Sequence, residues 1–161
     1  VSDAAVNVVL NEKSKKRATL IVVELLKKIG IVRPKIAFLS ASESIIESMP
    51  STLEGKVLCD WSKANIKGAD FAGPLALDLI LSRQAASIKG VRENKVSGKA
   101  NGIIVPDIVS GNVLFKSLVY LSGGCAAGLV IGARVPLILT SRADPPAARL
   151  ASIALASISQ S

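Results

Sequence analysis

Along this chain apolar blocks alternate with polar ones, and the block lengths predict strands and helices in turn. Residues 1–10 alternate loosely through Ala5, Val6, Val8, Val9 and Leu10, which predicts a first strand. After a polar turn, Ala18, Ile21, Leu25 and Ile29 recur at helical spacing over 14–29. Lys15, Lys16, Lys27 and Lys28 are expected to turn outward there as a solvated face. Gly30 ends that helix and Pro34 forbids its return. Residues 35–39 read as a buried strand ending in the polar cluster 40–43, where Ser42 fits a helix N-cap. A helix is expected over 52–64, with Trp61 packing, then a short strand over 66–71. Gly73-Pro74 opens a further helix over 74–89 that buries Leu77, Ile80, Leu81 and Ile88.

The remainder predicts a strand over 97–105, a helix over 110–121 and strands over 125–131 and 135–140. Asp144-Pro145-Pro146 starts the last helix, with Asp144 as its N-cap, and that helix buries Leu150, Ile153, Ala154 and Ile158. Strands alternating with helices imply an α/β fold of three layers, α/β/α, around a largely parallel sheet.

Composition narrows the function. Among 161 residues half are apolar and a fifth charged, enough for one well-cored domain of ordinary α/β type. The formal charge of +8 invites nucleic acid. The lysines are scattered, however, no aromatic-basic ladder offers a stacking platform, and no zinc-finger or RNP pattern is present; small anionic ligands fit as well, and a missing acidic portion of the same protein would also explain the excess. The chain has no His, which removes Ser-His-Asp and Cys-His catalysis and His-ligated metal. No metal site is expected. Cys59 and Cys125 form no motif and are expected as buried thiols of a reducing cytoplasm. The charge-free run 117–133 reaches only the lower limit of a membrane span and is broken by Gly123-Gly124, so a helix end, a turn and a buried strand are expected. The sequence begins at Val1, not Met, as expected of a processed chain or of a piece of a longer one, and no signal-peptide pattern is evident in its first residues.

The chemistry concentrates in 97–144. Two strand-like runs there end in small polar clusters, Pro106-Asp107 and Ser141-Arg142-Ala143-Asp144, as α/β proteins arrange for phosphate-bearing ligands. Gly98-Lys99 is followed by Ala100 and has no glycine at Walker spacing, and no GxGxxG follows the first strand. Arg142 either grips a phosphate bidentately, with Ser141 on the same ligand, or pairs with Asp144 at the surface. Asn112 and Lys116 share a helical face and either orient a second ligand group or serve as cap and solvated residue. Asp78, early in its helix, is explained by the helix dipole.

These residues resemble the phosphate acetyl/butyryltransferases. The matching stretches are PKIAFLSASE, GPLALD at 73–78, SGKAN at 97–101, IIVPDIVSGN with Lys116, GARVPLILTSRAD at 132–144, and the tail RLASIALA. The S-R-A-D form looks like the butyryl-type branch, and like the transferase part of fused enoyl-CoA hydratase/phosphate acetyltransferase proteins. The resemblance implies transfer of a short acyl group between coenzyme A and inorganic phosphate, with CoA as substrate and no prosthetic group. It also implies an isocitrate/isopropylmalate dehydrogenase-like fold, a homodimer, a cytoplasmic location, and neither nucleic-acid nor membrane partners. On this basis 1–135 would be the second α/β domain and 136–161 the segment returning to a first domain, mostly absent from this partial chain. Carried over by position, Ser141, Arg142 and Asp144 would be catalytic, and Asn112, Lys116, Asp107 and Asp78 would bind substrate. Where the acetyl branch has an Asp farther into the last helix, this chain has Ala148. The rivals are a metal-dependent dehydrogenase relative, which needs clustered aspartates, and a non-catalytic dimerisation or binding module.

Overall fold

Three consecutive buried apolar residues, Ile36-Ala37-Phe38, make β1 (Lys35–Leu39) the middle of the sheet in the computed structural model, which describes every residue except Arg92 and Ser161. Strand β2 (Asp70–Leu75) lies parallel on one side, with Ile36 opposite Phe71. Strand β3 (Gly102–Ile104) lies parallel on the other, with Phe38 opposite Ile104. The order β2-β1-β3 shows that the chain leaves β1 toward one side and returns to its other side. The α/β reading with a parallel sheet is therefore what the chain folds into.

Helix α1 (Glu12–Lys28) starts from Asn11, whose side chain accepts the Ser14 N–H at 2.9 Å. Its inward stripe is Lys15, Thr19 and Val23, flanked by Ala18, Val22 and Leu26 against the core, so the buried face is rotated from the expected one. Lys15 is not on the solvated face. Helix α2 (Pro50–Asn65) has Pro at its first position and buries Leu58 and Cys59. Trp61 packs partly buried against the core, with the Lys16 ammonium 5.2 Å from its ring centroid. Ser42 caps no helix; its hydroxyl accepts the Ser44 N–H in a local turn.

Gly73-Pro74 belongs to β2 instead of opening a helix. Proline is tolerated because β2 is an edge strand, and a Cβ on Gly73 would stand 2.6 Å from Phe38 Cβ. The helix expected over 74–89 is two short ones, α3 (Leu77–Leu81) and α4 (Arg83–Ile88), because Ser82 leaves helical geometry and caps α4 through the Ala85 N–H. Leu79 and Ile80 are buried, whereas Leu81 and Ile88 are exposed.

The first ten residues form no strand. Asp3 accepts the N–H groups of Ala5, Val6 and Asn7, and such local bonds displace a ladder. One isolated parallel bridge joins Ser2 to Ile104.

Contacts divide the chain into two compact units, Val1–Asn112 and Val113–Ser161, with the boundary inside α5 (Ile108–Tyr120). In the second unit, β4 (Leu129–Val130) and β5 (Leu137–Ile138) form a small antiparallel pair outside the parallel sheet, far shorter than the strands expected there. Helix α6 (Pro146–Gln160) buries Ala148 and Ser152, and Ser152 Oγ accepts the Gly128 N–H at 3.0 Å. Leu150, Ile153 and Ile158, expected inside, are exposed. Helix α5 closes at Gly123, φ +68°, with the Gly124 N–H on the Leu118 carbonyl. Cys59 is buried as expected, but Cys125 is exposed because its segment is not a core strand. Among the described residues no helix is long and apolar enough to cross a membrane.

Candidate functional site

Strand order reverses at β1, so the connections after β1 and β3 diverge and leave a crevice at their carboxyl ends, where open α/β sheets bind ligands. A small cleft lies there, of about 10 Å³, room for one water. Phe38 and Leu39 line it from β1, Ile104 to Pro106 from the end of β3, Ser51 and Glu54 from α2, and Lys15 from α1. Lys15 is 2% exposed, and its ammonium donates to Glu54 Oε2 in an ion pair.

The turn after β3 carries Asp107. Its Oδ1 accepts the Ser110 N–H and its Oδ2 the Ser110 hydroxyl, both at 2.8 Å, which fixes the start of α5. The Ser110 N–H holds the Asp107 carboxyl below its ordinary value; burial opposes this, and the positive charge of Lys15 adds to it. Gly111 has no room for a side chain, since a Cβ would stand 2.4 Å from the Asp3 carbonyl oxygen. At the next residue, the Asn112 amide donates to the Ala4 carbonyl at 3.0 Å. Lys116 is exposed on the same helix.

Asp78 is exposed at the start of α3, with its Oδ2 3.1 Å from Lys89 Nζ and its Oδ1 accepting the Leu79 N–H. The Lys89 hydrogen bond, first, holds its carboxyl below the ordinary value.

Ser141 to Asp144 form a tight turn in the second unit. Asp144 Oδ2 accepts the Ser141 N–H at 2.6 Å, and the Asp144 N–H reaches the Ser141 carbonyl at 3.1 Å. Helix α6 begins at Pro146, so Asp144 closes this turn instead of capping the helix. Arg142 is exposed and forms no ion pair with Asp144; the carboxylate is turned to the backbone. Ala148, in the place of the acetyl-branch carboxylate, is buried.

Asp78, Asp107 and Asn112 thus belong to the first unit, where Asp107 and Asn112 share one turn and helix start. Lys116, Ser141, Arg142 and Asp144 belong to the second. Among the described residues no three His, Cys, Asp or Glu side chains gather as a metal site would require. Sequence reasoning missed Lys15, Ser51 and Glu54. The available signal was Lys15 standing four residues before Thr19 and eight before Val23, on the inward stripe of α1.

Comparison with known proteins places the chain in one family. The model of the family "Phosphate acetyl/butaryl transferase" matches residues 1–157. A phosphate acetyltransferase of Rhizobium meliloti is 42% identical over 98% of this chain and 50% of its own length. A phosphate butyryltransferase of Clostridium acetobutylicum is 43% identical over 84% of this chain and 45% of its own. The crystal structure of a branched-chain phosphotransacylase from Enterococcus faecalis V583 superposes with a TM-score of 0.89 at 32% identity, covering 98% of this chain and 56% of that one. The chain spans about half the length of the relatives it matches.

Proposed function

Because the chain belongs to the phosphate acetyl/butaryl transferase family, we propose that the whole protein transfers a short acyl group between coenzyme A and inorganic phosphate. The observation that carries this reading is similarity over 98% of the chain to a phosphate acetyltransferase, at 42% identity. In the reaction the CoA thiolate attacks the acyl carbonyl, the new C–S bond forms, and the C–O bond to phosphate breaks as phosphate leaves. Arg142, exposed and unpaired with Asp144, grips the phosphoryl oxygens and offsets the charge that builds on them. Ser141 donates its hydroxyl to the same group, and Asp144 keeps the turn closed. Asp107, Asn112 and Lys116 orient CoA or acyl phosphate from the β3–α5 turn and α5, and Asp78 adds a contact from α3. A strong base is not required, since a thiol near pKa 8.5 is already partly ionised at neutral pH.

The protein works as a cytoplasmic homodimer in this reading. Residues 1–135 make its second α/β domain, and 136–161 return to a first domain. Exposed Leu150 and Ile153 on α6 support that return, since an apolar face of this kind needs cover. The deciding experiment is acyl-CoA formation from acetyl, propionyl and butyryl phosphate by the whole protein, beside the 161-residue chain alone. The whole protein is expected to turn over and the chain alone to be inactive or nearly so. No acyl transfer by the whole protein with any of the three would refute the function. Full activity in the chain alone would refute the need for a first domain.

A further inference from the structure

Lys15 carries a charge where packing alone would favour a hydrocarbon. It is 2% exposed and its partner Glu54 keeps a side chain 30% exposed. Replacing a buried ion pair by apolar groups of similar volume is often neutral or stabilising, so stability does not account for the pair. Its place in the fold does. Lys15 and Glu54 line the cleft at the carboxyl ends of β1 and β3 together with Val105 and Pro106, which lead directly into Asp107.

We propose that Lys15 is a positioning residue for the substrate-binding turn after β3. Fixed to Glu54 on α2, Lys15 lines the same cleft as Val105 and Pro106 and so supports the turn that leads into Asp107 and α5. An ammonium has three N–H donors, and Glu54 takes one of them. The Lys15 charge also favours an ionised Asp107, and that carboxylate in turn fixes α5 through Ser110. Lys15 thereby acts on substrate through Asp107 and α5 without touching it. The inference rests on the proposed acyl transfer and adds to it a residue that the sequence pattern placed in solvent.

The test uses the whole enzyme, with kcat and KM measured for CoA and for acyl phosphate. Lys15→Met is expected to raise KM for at least one substrate about fivefold or more with kcat within about threefold, and Lys15→Arg to recover most of that loss. Lys15→Met/Glu54→Met removes the pair without leaving a lone buried charge, so it is expected to fold and still to show the raised KM. A double variant with the parental KM for both substrates overturns the inference. A double variant that no longer folds overturns it too, because the pair would then be a packing element. Arg142→Ala in the same assay separates the two readings. A large loss there beside parental kinetics in the double variant rejects Lys15 alone, and parental kinetics in Arg142→Ala reject the active-site assignment while Lys15 is still judged by KM.

Discussion

Asp144 holds Ser141: its carboxylate accepts the Ser141 backbone N–H at 2.6 Å and closes the turn that presents Arg142. Asparagine keeps an acceptor at that place, so Asp144→Asn is expected to keep kcat/KM within about threefold, whereas Asp144→Ala opens the turn and costs about tenfold or more. A large loss in Asp144→Asn that eases as pH rises toward the thiol pKa would instead make Asp144 a base.

Arg142 is exposed and forms no ion pair with Asp144, whose carboxylate accepts the Ser141 N–H. Arg142→Ala in the whole protein is expected to cost on the order of a hundredfold in kcat/KM. Arg142→Lys keeps the charge but not the planar fork, and an intermediate loss, about tenfold, is expected. Equal rates for Lys and Arg would reduce the role to a point charge.

Two glycines with positive φ separate backbone strain from crowding. At Gly98, φ +64°, a Cβ would stand 2.5 Å from the Arg83 backbone nitrogen; at Gly90, φ +74°, nothing lies within 4 Å. Gly90→Ala is expected to cost about 1 kcal/mol from φ alone, and Gly98→Ala at least about 2 kcal/mol, since the backbone it meets must also move. Urea midpoints of the two variants check the difference.

Acid should weaken the fold in a definite window. Asp70 is held below its ordinary value, first by its hydrogen bonds to Arg33, and Asp107 first by the Ser110 N–H. A carboxyl with a depressed folded pKa stabilises fully above its unfolded value, about 4, and loses that contribution as pH falls through the lower folded value. Unfolding midpoints are therefore expected to be level from neutral pH to about 5 and to fall below about 4. Arg33→Gln should flatten part of that fall, and an unchanged slope would remove Asp70 from the account.

The middle of the sheet was legible because a strand covered on both faces must be continuously apolar, as Ile36-Ala37-Phe38 are. The polar cluster Ser141 to Asp144 was expected after a strand, but the hydrogen bond that closes it as a turn was not. Asp-Pro-Pro reads as a helix cap, and only the start of α6 at Pro146 frees Asp144 to bond Ser141. Val1 to Leu10 misled in the opposite sense, since their alternation had no neighbouring ladder to join once Asp3 drew in the nearby N–H groups.

By itself the sequence determined the α/β class, the buried strand over 35–39 and the family, because apolar periodicity and local motifs are carried by residues close together in the chain. Only the tertiary structure decided that Lys15 faces inward, that the crevice opens between β1 and β3, and that β4 and β5 stand outside the parallel sheet. Those outcomes depend on which segments meet across long separations. A lysine on a helix has the same local pattern whether its head finds water or Glu54.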